Sequence, residues 1–282
     1  MNNYNVYIII PTLNRKQITV KCVKKLLKGS FSNINILICD SDSDDGTQNE
    51  FSNYNNVEYI NVGRNKWWSG AINRGIKKAL DYKSDFILLL NDDVDFGETL
   101  VEDLLRDYSK NKNSIISPIQ KSIEGDFLGI RYNGLFKRPN FLFLNAFREE
   151  FTSVESSNGC CLFMPSKIFD KVEYIDEKFC PHLAGDSEFQ IRAGLKGFKT
   201  IVSSNIKIFQ GDPTNYYSKV SLLNMFSFNG SPVHFLSYWK FGVTLFGSKL
   251  NFILLGIFYH YNYSKSVFKT LTFLIKKYFK TQ

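Results

Sequence analysis

The sequence predicts an α/β protein with a doubly wound, mainly parallel sheet. Short, continuous apolar runs alternate with amphipathic segments over residues 6–90, as in sheets that helices cover on both faces. Acidic residues follow two of these runs, where the carboxyl ends of parallel strands form a crevice. The 282 residues are enough to bury a sizeable core in one or two domains.

The first part of the chain alternates strand and helix. Strands are predicted over residues 6–10, 35–39, 57–62 and 86–90, with helices over 18–27 and 72–80. Residues 63–71 are expected to form a loop before the second helix. In such a loop, Trp67 and Trp68 are placed either to stack on a sugar or base face, or for one ring to pack into the core.

The later elements are less regular. A helix is predicted over 97–112, a strand over 115–118, and an antiparallel ribbon or a long loop over 122–155. A strand over 157–164, a helix over 166–171, a helix beginning near 185, and short strands over 199–202 and 207–209 follow. The ribbon or loop is the region in which we expect acceptor specificity.

The net charge of +8 lies in the last quarter of the chain. Residues 1–212 contain 27 basic and 27 acidic side chains, whereas residues 213–282 contain eight lysines and no acid. These lysines, together with aromatic and apolar residues at helical spacing, indicate a helix that lies at an anionic membrane surface. A helical subdomain that packs on the sheet, or that forms a homodimer, is the alternative. We therefore divide the chain into a domain over 1–212 and a C-terminal helical, basic and aromatic extension over 213–282.

Cysteines and apolar runs bear on location. The five cysteines are odd in number and lack the spacing of metal ligands, which is typical of reduced, buried thiols in a cytosolic protein. The chain shows no signal peptide at its start, and the apolar run over 252–259 is shorter than the ~20 residues that span a bilayer. We expect a cytoplasmic protein that binds peripherally at the inner face of the plasma membrane.

The polar tip after the strand over 86–90 is a candidate metal site. Asp92, Asp93 and Asp95 repel one another there, and Mg²⁺ or Mn²⁺ relieves such repulsion through oxygen ligands. Asp93 and Asp95 are the candidate ligands. A solvated acidic turn is the alternative for this tip alone, but a second acidic segment over 40–45 follows a neighbouring strand. Two acidic strand ends in one parallel sheet favour a crevice that binds a nucleotide and a metal.

Four motifs carry a resemblance to a known family. They are Pro11-Thr12-Leu13-Asn14-Arg15, Asp40-Ser41-Asp42-Ser43-Asp44-Asp45-Gly46-Thr47, Gly70-Ala71-Ile72-Asn73-Arg74-Gly75-Ile76 and Asn91-Asp92-Asp93. In this order and spacing they resemble a family 2 glycosyltransferase of the GT-A fold, like the bacterial rhamnosyl-, galactofuranosyl- and hexosyltransferases of surface polysaccharide synthesis. The resemblance covers residues 4 to about 212.

The resemblance implies roles for individual residues. Those lining the nucleotide base and ribose would be Thr12, Asn14, Arg15 and Asp40. Those near the sugar diphosphate would be Arg64, Gly70 and Asn73, with Trp68 beside them. Asp92 would meet the ribose or the sugar, and Asp93 would hold the metal. For Arg64 taken alone, a surface arginine is the alternative.

A further motif, Gly185-Asp186-Ser187-Glu188 with Arg192 after it, resembles the segment that carries the family's catalytic base, which implies that role for Asp186. Backbone N–H groups at a helix N-terminus are expected to keep this carboxylate ionised, and a helix cap is the alternative role. Many relatives place a histidine ligand where this chain has Gln210 or the nearby Asp212. Either residue could complete the metal shell, although Gln is a weak ligand.

The sequence thus predicts an inverting, metal-dependent glycosyltransferase. The expected donor is a UDP or dTDP sugar and the acceptor is a saccharide, which a lipid would carry if the extension binds a membrane. A nucleotidyltransferase is one alternative, but it would need a Gly-rich basic loop where Pro11–Arg15 stands. A non-catalytic, basic nucleic-acid- or membrane-binding protein is the other. No nucleic-acid partner is expected, because acidic strand ends repel phosphate.

Overall fold

The computed structural model describes residues 4–122, 125–133, 138–144, 149–210 and 235–246, and the single positions Phe268, Leu271, Thr272 and Ile275. Within these ranges, eleven strands form one mixed sheet. The strands are β1 (Val6–Thr12), β2 (Ile34–Asp40), β3 (Val57–Asn61), β4 (Phe86–Leu90), β5 (Val94–Asp95), β6 (Ser114–Ser122), β7 (Gly125–Asn133), β8 (Arg138–Phe143), β9 (Phe151–Val154), β10 (Cys161–Pro165) and β11 (Lys199–Gln210). The helices are α1 (Lys16–Leu27), α2 (Trp67–Asp81), α3 (Leu100–Lys110), α4 (Gly185–Leu195) and α5 (Phe235–Phe246).

One half of the sheet is parallel and places the candidate site. Its strand order is β3-β2-β1-β4, with Val6 opposite both Ile34 and Phe86. All five side chains of β4 are buried, as expected for a strand covered on both faces. The carboxyl ends of β1, β2 and β4 therefore meet at one edge. This confirms the predicted fold class.

The other half of the sheet is mixed. β10 lies antiparallel between β4 and β6, and β11 runs parallel to β6. β7 and β8 form an antiparallel pair, so the ribbon alternative for residues 122–155 is the one observed. The two short strands predicted over 199–202 and 207–209 are instead one strand, β11, whose register shifts between Ser203 and Lys207.

Helices cover both faces of the sheet. Ile8 and Leu88 face α1 and α3 in one buried cluster, and Ile9 and Leu89 face α2 and α4 in the other. This alternation follows from the two-residue period of a strand. The five cysteines are buried and free.

Several predicted boundaries differ from the observed ones. Residues 67–71, predicted as a loop, form the first turns of α2, and the chain enters this helix through positive φ angles at Asn65 (63°) and Trp67 (53°). Turn residues just before a helix mimic a loop pattern, which explains this difference. The strand predicted over 157–164 begins only at Cys161, as β10, and the helix predicted over 166–171 is a 3₁₀-helix over 166–170.

Helix α5, which lies within the predicted extension, packs against the sheet domain. In α5, the Phe241 ring lies 5.6 Å from that of Tyr132, and Thr244 donates a 2.7 Å hydrogen bond to Glu188 of α4. The Ser237 hydroxyl donates to the Phe179 carbonyl at 2.9 Å. The boundary at residue 212 stays a prediction, since most of residues 213–282 lie outside the described ranges.

Farther along, Phe268 and Ile275 are helical and exposed, at 71% and 55% of their surface. In the described part of the chain, no helix has both the length and the apolar character needed to cross a bilayer.

Candidate functional site

The loops after β1 and β2 are joined side by side. The Asn14 amide donates to Ser43 Oγ at 2.7 Å, and Asn14 Oδ1 accepts from the Asp44 amide at 2.9 Å. Asn14 adopts a positive φ of 52°, which Asn tolerates better than most residues. The first two sequence motifs therefore form one continuous wall at the sheet edge.

Asp40 is fully buried at the end of β2 and its oxygens are occupied. Oδ1 accepts from the Ser43 amide at 2.9 Å and the Ser43 hydroxyl at 2.7 Å, and Oδ2 accepts from the Tyr59 hydroxyl at 3.1 Å. Burial and the adjacent Asp40 raise the pKa of Tyr59 to about 12. Asp40 thus stabilises the loop after β2 as well as being a candidate for the donor.

Asp92 and Asp93 share one arginine. Arg15 Nη2 lies 3.2 Å from Asp92 Oδ1 and 3.1 Å from Asp93 Oδ2. Asp92 Oδ2 accepts from Thr19 Oγ1 at 2.8 Å and lies 3.5 Å from Thr12 Oγ1. Burial raises the pKa of Asp92 to about 6, although Arg15 acts against the shift.

The start of α2 borders this acidic tip. The Trp68 indole N–H donates to Asn91 Oδ1 at 3.1 Å, so Trp68 is tied to the residue before Asp92. The neighbouring Trp67 ring lies 5.9 Å from that of His182. A side chain at Gly70 would begin 3.1 Å from Lys66 Cβ and 3.2 Å from Glu177 Oε2, so this turn is closely packed.

Asn73 has a structural role in the fold. Its Nδ2 donates to the Ile175 carbonyl at 2.8 Å, and its Oδ1 accepts from the Ile175 amide at 3.1 Å. Asn73 is buried, and it joins α2 to a segment 102 residues later. Its predicted contact with the sugar diphosphate stays a prediction.

Asp186 lies in the first turn of α4 and is held by a glycine. Its Oδ2 accepts from the Gly159 amide at 2.8 Å. The next carbonyl, that of Cys160, accepts from the Asn91 amide at 2.9 Å, so one short backbone segment connects Asp186 to the acidic tip. Burial raises the pKa of Asp186 despite opposing backbone N–H groups of Ser187 and Gly159. The expected helix-terminus effect is therefore outweighed by burial.

Gln190 of α4 joins the helix that carries Asp186 to the segment before Gly159. Its Oε1 accepts from the Ser157 amide and its Nε2 donates to the Ser157 carbonyl, both at 2.8 Å. The same Nε2 lies 3.1 Å from the Asp186 carbonyl. One buried side chain thus locks α4 to the segment that carries Gly159.

A chain of three amide side chains crosses the site. Gln120 Nε2 donates to Gln210 Oε1 at 2.8 Å, and Asn158 Nδ2 donates to Gln120 Oε1 at 2.7 Å. Gln210 lies opposite Val94 at the end of β11, near the acidic tip. Asp212, the other candidate for the metal shell, lies outside the described residues.

Two predicted site residues, Arg64 and Asp95, form ion pairs and are largely exposed. Arg64 Nε binds Asp42 Oδ2 at 2.8 Å with 69% of the Arg64 side chain exposed. Asp95 forms an ion pair with Lys25, and 71% of its side chain is exposed. Among the described residues, no three His, Cys, Asp or Glu side chains converge as a metal site. Nothing here brings Asp95 toward Asp93, and its metal role stays a prediction.

Sequence reasoning missed several residues that shape the site, namely Thr19, Tyr59, Gln120, Gly159, Glu177 and Gln190. The sequence places Gly159 only in a strand, yet a Cβ there would lie 2.6 Å from Asp186 Cβ. Its position directly before the buried Cys160-Cys161 pair was the available signal. The others act through contacts between distant segments and gave no local signal.

The donor set at Asp93 fits a divalent cation. Asp93 Oδ1 is buried and has no hydrogen-bond partner among the described residues. A buried carboxylate oxygen without a partner is costly, and an oxygen of this kind is the ligand that Mg²⁺ or Mn²⁺ prefers.

Comparisons with known proteins agree with this geometry. The family model described as "Glycosyl transferase family 2" matches residues 7–173, more than half of the chain. The low-salt glycan biosynthesis hexosyltransferase Agl10 of Haloferax volcanii is 25% identical over 135 residues, which are 46% of this chain and 44% of that protein. The chain therefore aligns with less than half the length of this curated relative.

Solved structures share the fold. Staphylococcus aureus TarS 1–349, in complex with UDP-GlcNAc, matches with a TM-score of 0.64 and 15% identity over 92% of this chain and 73% of that one. The mannosyltransferase PcManGT from Pyrobaculum calidifontis, in complex with GDP-Man and Mn²⁺, matches with a TM-score of 0.60 and 11% identity over 96% and 74%. GalNAc-T7, with UDP, GalNAc and Mn²⁺, matches with a TM-score of 0.62 and 14% identity over 77% and 46%.

The family match favours a glycosyltransferase over the nucleotidyltransferase and nucleic-acid-binding alternatives. The architecture is that of the GT-A glycosyltransferases. The strand-end motifs, the mixed sheet and the match over residues 7–173 together show that this chain belongs to glycosyl transferase family 2.

Proposed function

We propose that the chain is an inverting, metal-dependent glycosyltransferase that moves a sugar from a nucleoside diphosphate to a saccharide. The observation that carries the proposal is the pairing of two acidic positions across one short backbone segment. Asp186 is held by Gly159, and Asn91, which precedes Asp92 and Asp93, is held by Cys160. A base and an acidic tip so placed can serve the two sides of one displacement.

The donor would lie along the wall formed by the first two loops. Thr12, Asn14, Arg15 and Asp40 would border the base and ribose there, with Asp92, Trp68 and Gly70 nearer the sugar. UDP or dTDP sugars are the proposed donors, and GDP sugars belong in any test because a structural neighbour binds GDP-Man. When bound through Asp93, a divalent cation would neutralise charge on the leaving diphosphate.

Asp186 would take the proton from the acceptor hydroxyl as that oxygen attacks the anomeric carbon. Burial supports this role, because it raises the pKa of Asp186 and so makes the carboxylate a stronger base. Gly159 and Gln190 would keep the carboxylate in place. The amide chain of Gln120, Asn158 and Gln210 offers donors and acceptors of the kind that sugar hydroxyls use.

A donor panel tests the activity. The purified protein is mixed with UDP, GDP and dTDP sugars and Mn²⁺ or Mg²⁺, and release of the nucleoside diphosphate is measured. We expect metal-dependent release from one donor that is lost in Asp93→Ala and strongly reduced in Asp186→Ala. Asp170→Ala is the control and should behave like wild type, because it removes an exposed acid just past the end of β10 that pairs with the start of β4, away from the strand-end acids. Release that is equal in all variants would contradict the proposal.

We also propose that the acceptor is lipid-linked and that the C-terminal lysines bring the enzyme to the inner face of the plasma membrane. The exposed Phe268, Leu271 and Ile275 support this, since they share one helical face beside Lys265, Lys269, Lys276 and Lys277 in the sequence. At low salt, the protein should be found in the pellet when anionic vesicles are sedimented. The double variant Lys276→Gln/Lys277→Gln should bind more weakly, and Lys83→Gln/Lys112→Gln should not. Equal binding to neutral vesicles would contradict the electrostatic part.

A further inference from the structure

The position between Asp92 and Asp93 is filled by a side chain of the protein itself. A single nitrogen, Arg15 Nη2, lies 3.2 Å from Asp92 Oδ1 and 3.1 Å from Asp93 Oδ2. Arginine usually binds a carboxylate with two nitrogens in a fork. Here one nitrogen bridges two carboxylates and acts as a point charge between them, as a cation would.

Within the described ranges, this contact leaves one buried polar atom of the arginine and one of a carboxylate without a hydrogen bond. Arg15 Nε and Asp93 Oδ1 are buried and have no hydrogen-bond partner in the described part of the chain. Apart from them, only Ser156 Oγ shares this condition among the described residues. Permanent partners would use both atoms in a bidentate pair, since an unused buried polar atom is costly. The pair is therefore poorly matched as a fixed structural contact.

The Arg15 side chain is held by fewer contacts than Asp92. Asp92 is held by Thr19 at 2.8 Å and lies at the end of the buried strand β4. The backbone of Arg15 is also held, because its carbonyl accepts from the Ile18 and Thr19 amides, each at 3.0 Å. The long Arg15 side chain keeps 23% exposure toward solvent and is free of other ion pairs among the described residues.

We propose that Arg15 is an internal counterion that competes with the divalent cation for Asp92 and Asp93. The inference rests on the metal-dependent function proposed above. Two cations within a few ångströms of each other repel strongly in a partly buried site. Cation binding therefore requires the guanidinium to leave, and a bound nucleotide diphosphate offers it a new anionic partner. The free enzyme would bind the cation weakly, and the nucleotide and the cation would strengthen each other's binding.

Cation binding in the absence of nucleotide tests this. Free Mn²⁺ is titrated by electron paramagnetic resonance against wild type, Arg15→Ala, Arg15→Gln and Lys24→Ala. Lys24→Ala is the matched control, because it removes an exposed positive charge from α1, the helix that follows Arg15. We expect the Arg15 variants to bind Mn²⁺ about tenfold tighter, within the usual range for coupled sites, and Lys24→Ala to stay within about twofold. Equal or weaker Mn²⁺ binding in both Arg15 variants would overturn the proposal.

A second readout separates this inference from the proposed function. Mn²⁺ should raise the melting temperature of Arg15→Gln more than that of wild type, and the melting curves without Mn²⁺ show whether each variant is folded. If wild type takes up Mn²⁺ with UDP, GDP or dTDP but the Arg15 variants gain nothing without nucleotide, only the counterion role fails. If no protein binds Mn²⁺ under any condition, both fail. Tighter Mn²⁺ binding in the Arg15 variants, with no nucleoside diphosphate released by wild type from any donor, would support the counterion role and contradict the metal-dependent transfer proposed above.

Discussion

Gly159→Ala is the change that should separate the proposed base from the rest of the site. The new Cβ would lie 2.6 Å from Asp186 Cβ and 2.7 Å from Asp186 Oδ2. Ordinary contacts between such atoms are about 3.5 Å, so the Asp186 carboxylate must shift by roughly 0.8 Å. The shift would also weaken the 2.8 Å hydrogen bond from the Gly159 amide.

Two independent magnitudes agree for this change. A hydrogen bond to a charged group contributes about 1.5–3 kcal/mol. Misplacing a catalytic group by about 1 Å costs about 100-fold in rate, which corresponds to about 2.7 kcal/mol. We therefore expect kcat to fall about 100-fold. The dissociation constant of the donor nucleotide should stay within about twofold. A Cβ at Gly159 has atoms of Asp186 as its three nearest neighbours, whereas the nucleotide would lie along the loops after β1 and β2.

The assay is release of nucleoside diphosphate at saturating donor, with nucleotide affinity measured by calorimetry. Gly194→Ala is the matched control, since a Cβ at this helical position meets nothing within 4 Å. It should keep full activity and gain up to about 1 kcal/mol of stability. Turnover of Gly159→Ala close to that of wild type would refute the assignment of Asp186 as the base.

Three further predictions concern pH and stability. Because burial raises the pKa of Asp186 and the base works deprotonated, the rate should fall as the pH drops, with a midpoint above the ordinary value of about 3.9; a pH–rate profile flat down to pH ~4 would contradict this. Asn73→Ala leaves the buried Ile175 amide and carbonyl without partners and should cost about 2–4 kcal/mol in urea unfolding; a loss below about 1 kcal/mol would show that water or a shift replaces them. In Gly75→Ala, the new Cβ would lie 2.4 Å from Ile9 Cγ2 and 2.8 Å from Cys39 Sγ. This overpacking should lower the free energy of unfolding by about 1–3 kcal/mol. An unchanged free energy of unfolding would mean that α2 moves freely away from the sheet.

The sheet and its acidic edge could be predicted because their signals are local. The continuous apolar run of β4 shows burial on both faces, and parallel strands bring Asp40, Asp92 and Asp93 to one edge. The antiparallel direction of β10 could not be predicted, since a buried strand has the same apolar pattern in either direction. The length of α2 was missed because Trp67 enters the helix from a positive φ.

The support around the base depends on contacts between distant segments. Gly159 meets Asp186 across 27 residues, and Gln190 meets Ser157 across 33. The position of a glycine or a glutamine in the sequence does not indicate which distant residue it will hydrogen-bond. The bridging position of Arg15 is of the same kind: the sequence placed Arg15, Asp92 and Asp93 at one edge, but not in one ion pair.

The most direct test of the central claim, that the strand-end acids hold a nucleotide together with a cation, is calorimetric. UDP, GDP and dTDP are titrated into wild type and Asp93→Asn, each with and without Mn²⁺. We predict that one nucleotide binds wild type, that Mn²⁺ tightens its binding about tenfold or more, and that Asp93→Asn keeps weak binding without the Mn²⁺ effect. Binding of no nucleotide, or an equal Mn²⁺ effect in Asp93→Asn, would contradict the claim.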